Sequence, residues 1–139
     1  MTVHLIKMAV GIADLEDLIE RRRLRRQREG DGPLRVTTRH KPKREGEILD
    51  GGSIYWVIKG LVRVRQRVLG FTEGQDSEGK PCCVILCDHA LVTTEPLPFR
   101  PFQGWRYLAE KAAPLDRPSG EGDELPAKLV RELRALGLL

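Results

Sequence analysis

Residues 51–71, GGSIYWVIKGLVRVRQRVLGF, decide how this chain is read. Gly51-Gly52 is a turn signal, and Ser53 to Ile58 is uncharged and rich in β-formers, as a buried strand requires. Gly60 interrupts, and Leu61 to Leu69 then alternates with a period of two. Val62, Val64 and Val68, with Gln66 among them, fall on one face; Arg63, Arg65 and Arg67 fall on the other. Side chains alternate across a strand, so the spacing predicts valines packed inward and three guanidinium groups on one surface.

Working outward, Thr72 to Lys80 reads as a polar hairpin loop and Cys82 to Cys87 as an apolar strand beside the central one. Thr93 to Pro101, with Pro96, Pro98 and Pro101, predicts an extended connection, and Phe102 to Leu108 a closing strand. Before the centre, Val3 to Val10 and Leu34 to His40 are strand candidates, and Glu45 to Asp50 is one short turn or helix. Asp14 is a good N-cap for a helix whose stripe is Leu15, Leu18 and Ile19. Its arginine-rich remainder, Arg21 to Arg28, lacks a continuous stripe and is expected to project from the body as a helical extension through about Gln27, or to fray into the loop 29–33. Leu125 to Leu139 has the helical spacing Leu129, Val130, Leu133 and Leu136. These elements predict a single α+β domain over 1–139: a small, mostly antiparallel β-barrel with an early helix, a core over 1–108, a linker over 109–124 and a C-terminal amphipathic helix over 125–139.

At 139 residues with 40% hydrophobic content, the chain matches an ordinary soluble domain, and no apolar run approaches the roughly 20 residues that span a bilayer. A short, quickly charged start and three cysteines, two adjacent, fit a cytoplasmic protein with no disulfide framework. The net charge is only +4, but arginine is clustered at Arg21 to Arg28, Arg35 to Arg44 and Lys59 to Arg67. Such segregation attracts phosphate, which guanidinium contacts bidentately, although each cluster taken alone is also what a solvated face looks like.

The aromatic content is concentrated in Arg100-Pro101-Phe102-Gln103-Gly104-Trp105-Arg106-Tyr107. Aromatic faces stack on bases, and Arg and Gln read phosphates and base edges; the alternative is that these rings are core anchors. Trp56 is expected in the core, and Tyr55, on the opposite face with Lys59, in a groove. Cys82, Cys83, Cys87 and His89 match no common zinc spacing, and Ser53 lies in no nucleophile elbow, so neither a metal nor another cofactor is expected.

The segments PKREGEILDGGSIYWVIKG (42–60), Arg65-Gln66-Arg67 and RPFQGWRYL (100–108) resemble an uncharacterised bacterial family, domain of unknown function 1489, known mainly from alphaproteobacteria. The resemblance runs from His4 to Leu139 and implies lineage, with no activity attached. In element order the chain is also similar to EVE and ASCH domains, PUA-like β-barrels that bind RNA or modified bases in a basic cleft. That similarity implies that Gly51 to Val57 supplies the glycine-led strand entry and Arg39 to Arg44 the basic loop.

The expected function is a non-enzymatic nucleic-acid-binding module, for RNA more than DNA or for a modified nucleotide. Its expected contacts are Arg39, Lys41, Lys43, Arg44, Tyr55, Lys59, Arg63, Arg65, Arg67, Arg100, Gln103, Trp105 and Arg106. Two rivals stay open: an enzyme on a phosphorylated substrate using His40, Glu47 or Asp50, and a module docking its arginine helix on an acidic partner.

Overall fold

The computed structural model describes residues 1–117. In chain order the elements are β1 (Val3–Met8), α1 (Leu15–Glu29), β2 (Leu34–Thr38), α2 (Glu45–Leu49), β3 (Ser53–Ile58), β4 (Leu61–Gln75), β5 (Pro81–Cys87), β6 (Val92–Pro98) and β7 (Trp105–Ala109), followed by a 3-10 turn at Glu110–Ala112. The expected helix over 125–139 lies outside the described residues.

The fold is α+β, with one mixed seven-stranded sheet in the order β2-β5-β4-β3-β1-β7 and β6 alongside β4. β1 and β3 run parallel, and every other pairing is antiparallel. The expected barrel is corrected here: β2 and β7 end the strand order and do not pair with each other, so the sheet stays open. α1 packs on one face of it instead, and its Leu15 and Leu18 share one apolar cluster with Leu5 of β1, Val36 of β2, Trp56 of β3, Val64 of β4 and Ile85 of β5. A smaller cluster of Ile6, Tyr55, Val57, Val62 and Leu108 covers the opposite face.

Local chemistry explains the joints. Asp14 caps α1 by accepting the Asp17 backbone N–H at 2.8 Å. Lys59 and Gly60 both take positive φ (46° and 84°), the two-residue turn whose twist suits a hairpin, and so join Ile58 to Leu61. β6 carries Pro96 and Pro98 and is still a strand: it pairs with β4, residues 115–117 flank only its start at Thr93 to Glu95, and the open edge beyond tolerates a missing N–H.

The centre departs from simple alternation. The pairings of β4 with β3 and with β6 both slip between Val62 and Val64, so Arg63 is the extra residue of a bulge. Val62 therefore enters the smaller cluster while Val64 enters the larger one. Arg63 is 1% exposed, and its two terminal nitrogens have no hydrogen-bond partner among the described residues. Burial pushes its pKa down, with Arg117 adding to the shift and Asp14 opposing it. Removing a buried, unbonded charge relieves desolvation, so Arg63→Met is expected to stabilise the protein by about 1–3 kcal/mol in urea denaturation. A destabilised variant would contradict this.

Candidate nucleic-acid interface

The basic loop between β2 and α2 is held from behind by β7. Trp105 and Tyr107 lie two residues apart on that strand, on one face, and meet edge to face at 4.9 Å. Trp105 Nε1 donates to the His40 carbonyl at 2.9 Å, and the Arg44 backbone N–H donates to the Tyr107 hydroxyl oxygen at 3.1 Å. Both ends of the loop are thus pinned by aromatic side chains 65 and 63 residues further along the chain. The expected base-stacking segment is, in these two residues, the brace of the expected phosphate loop.

The cations on this loop face outward. Arg39 and Lys43 are exposed, and neither forms an ion pair among the described residues. Lys41 meets Glu45 at 2.8 Å, and Arg44 forks onto Glu47 at 2.6 and 2.9 Å while its guanidinium lies 5.3 Å over the Tyr107 ring. Exposed pairs of this kind contribute about 0–1 kcal/mol, so a phosphate can replace the carboxylate at small cost. Arg39 and Lys41 also border a cleft of about 680 Å³ formed with Thr72 to Gln75 and Pro81 to Cys83, in which Glu73 is the one acid.

The remaining expected contacts are dispersed. Arg100 and Gln103 are exposed in the loop before β7. Arg106, on the other face of β7 from Trp105, lies 5.0 Å over Phe102, which packs with Phe99 against the smaller cluster. Lys59 sits at the β3–β4 turn. The three arginines of β4 do not form one surface. Arg63 is buried at the bulge and Arg67 is exposed. Arg65 forks onto Asp116 at 2.7 and 2.7 Å and donates to the Ser53 hydroxyl at 2.9 Å. Its bond with Asp116 raises the guanidinium pKa and lowers that of the carboxyl. Residues 109–117, expected as linker, are thereby tied to the sheet, where Asp116 also bridges Thr94.

Tyr55 is likewise not in a groove. It is 4% exposed, with the His4 ring edge-on at 5.1 Å, and burial raises its pKa. It lies in the smaller cluster because β3 is covered on both faces. His4 Nδ1 accepts the Ser53 backbone N–H at 3.0 Å, so the ring is neutral with its proton on Nε2. Burial lowers its pKa below 6.5; Arg65 adds to this, and Glu110 and Asp116 oppose it. The unfolded chain therefore binds a proton near 6.5 that the folded chain refuses. Stability from this group is complete above that pH and falls as pH drops through the lower folded value. Denaturation midpoints measured between pH 7.5 and 5 should show the loss, and His4→Gln should flatten it. Equal slopes in both proteins would contradict the assignment.

The helix expected after Asp14 forms, over Leu15–Glu29, but its second half lies differently. Its arginine half does not project: Arg25 Nη2 donates to the Arg35 carbonyl at 2.7 Å, and Arg22 lies 5.2 Å over the Trp56 ring. The signal was present, since Leu15, Leu18, Arg22 and Arg25 follow each other at three- and four-residue steps along one stripe. Cys83 and Cys87 are buried, and burial pushes the Cys87 thiol up to about 12. Among the described residues no three His, Cys, Asp or Glu side chains are grouped to hold a metal ion, and no helix is long and apolar enough to cross a membrane.

An open, two-faced α+β sheet with a braced basic loop defines the architecture. The chain belongs to the family described as protein of unknown function (DUF1489), whose model matches residues 5–139. No curated protein matches it. No solved structure matches it.

Proposed function

We propose that this protein is a nucleic-acid-binding module, for RNA in preference to DNA, that holds phosphates along the 39–44 loop. The observation that carries the reading is the double anchoring of that loop by Trp105 and Tyr107. A tethered loop presents Arg39, Lys41, Lys43 and Arg44 in a fixed array, so less conformational freedom is lost on binding. The similarity in element order to EVE and ASCH domains supports the same ligand class, on an open sheet. Among the residues of the enzymatic alternative, Glu47 is held by Arg44, and Asp50 lies 3.7 Å from the terminal amine.

Fluorescence-anisotropy titrations against single-stranded RNA, duplex RNA and DNA at two salt concentrations test this. An Arg39/Lys43→Ala variant should bind about tenfold more weakly, and its log-log salt slope should shrink by about 1.4, the value for two lost single-strand phosphate contacts. Unchanged affinity and slope would overturn the reading. Arg67/Arg100→Ala, which removes two exposed cations outside the loop, serves as the charge-matched comparison.

A further inference from the structure

A second cationic site lies where α1, the end of β1 and the edge strand β2 come together. A cavity of about 300 Å³ opens there, lined by Lys7 to Val10, Ile12, Arg22, Arg25, Arg35 to Thr37 and Trp56. Every charged side chain in its lining is positive. Lys7, Arg22 and Arg35 form no ion pair among the described residues, and only Arg25 is neutralised, by Glu29. The Glu29 carboxyl is held low by that bond first and by Arg28 and Arg35 more weakly, and it lies outside the lining.

Each cation is there for a traceable reason. Lys7 follows Val3 and Leu5 on the helix-side face of β1 and is in register with Trp56 of β3. Arg22 continues the buried stripe of α1, and its Nε is buried with no hydrogen-bond partner among the described residues. Arg35 is exposed on the edge strand, with its carbonyl held by Arg25. The Trp56 indole is fixed from below, since its Nε1 donates to Gln66 Oε1 at 2.9 Å and Gln66 Nε2 donates to the Asp88 carbonyl. Burial opposes the charge on two of the cations: it lowers the pKa of Lys7, and with Arg25 it lowers that of Arg22 to about 10. Like charges gathered around a partly desolvated cavity are costly unless an anion joins them.

We infer that this cavity is a binding site for a terminal phosphate, the dianionic monoester of a nucleotide or of an RNA end. Three unneutralised cations suit a dianion better than the single charge of a phosphodiester. Buried Trp56 and Val36 give it an apolar base under the cations. Arg22 stays over the indole and turns its free edge to the phosphate, while Lys7 and Arg35 complete the charge. This site is separate from the 39–44 loop and does not depend on it.

Isothermal titration with adenosine 5′-monophosphate against adenosine, and with a short 5′-phosphorylated RNA against its 5′-hydroxyl form, tests the inference. Removing the phosphate should weaken binding at least tenfold in one pair or both, and the pair that responds identifies the source. Arg22→Met, which keeps an apolar stem on Trp56, and the surface variant Arg35→Ala should each erase most of that difference. The Arg39/Lys43→Ala variant should preserve it, so failure of the loop reading and failure of this one are distinguishable. Equal binding of phosphorylated and hydroxyl forms in both pairs, or a difference that survives both Arg22→Met and Arg35→Ala, would overturn the site.

Discussion

Trp56→Ala is expected to cost about 5 kcal/mol and to leave the protein largely unfolded at room temperature. Large-to-small changes at buried aromatic positions cost about 3–5 kcal/mol through lost burial and the cavity left behind. Trp56 adds a polar term, because its indole N–H is the donor to Gln66 Oε1, and Gln66 is itself fully buried. Without the indole that oxygen is left unsatisfied, at a further cost of about 1–3 kcal/mol. Arg22 would also lose the ring it lies over. The sum matches the whole stability of a typical small domain. Trp56→Phe separates the terms, since it keeps most of the apolar area and loses the bond, and should cost about 2 kcal/mol. Urea denaturation followed by circular dichroism reads both; a Trp56→Ala loss below about 1 kcal/mol would show that the ring is not the keystone of the larger cluster.

Gly52→Ala should be nearly as damaging, by a different route. A methyl group at Gly52 would lie 2.4 Å from the Ile48 carbonyl oxygen and 2.5 Å from that of Val3. Both are backbone atoms of elements that pack on either side, so neither can swing away. The Gly52 N–H donates to Ile48 at 2.7 Å, and its carbonyl accepts from Val68, so the residue joins α2, β1 and the middle of β4. Relieving the overlap means moving α2 off the sheet, and a loss of about 3 kcal/mol or more is expected. Neighbouring Gly51, whose φ is 83° and whose added methyl would meet nothing, is the comparison. Its alanine variant strains only the backbone and should cost about 1 kcal/mol. Equal losses at the two glycines would argue against the packing described.

Much of the fold was legible in the chain because its determinants are local. The Asp14 cap, the Gly60 turn and the uncharged run from Ser53 to Ile58 each carry their structure within a few residues. The barrel was not legible, since whether β2 meets β7 depends on how far a sheet curls around a helix. Nor was the bulge. Valine and arginine alternating from Val62 to Arg67 read the same whether or not Arg63 is an inserted residue, and only the slipped pairings with β3 and β6 reveal it. This one residue undid the expected arginine surface. The Arg65–Asp116 fork spans 51 residues, and no sequence pattern announces such a pair. In the candidate site the basic loop was read from its composition, but its brace was not: Trp105 and Tyr107 were expected to meet ligand, and they meet the His40 and Arg44 backbone. Arg22 was hidden by its charge, since a stripe search for apolar residues passes over an arginine lying on an indole.

Nitrogen–proton NMR spectra recorded during titration with 5′-hydroxyl single-stranded RNA test the central claim residue by residue. The Trp105 indole N–H is bonded to the His40 carbonyl and reports the loop directly. Binding at the loop should shift that indole signal together with the backbone amides of residues 39–44, and leave those of Arg63 and Arg65 in place. Saturable shifts centred on residues 63–67 with an unmoved Trp105 indole, or no saturable shift at all, would contradict it.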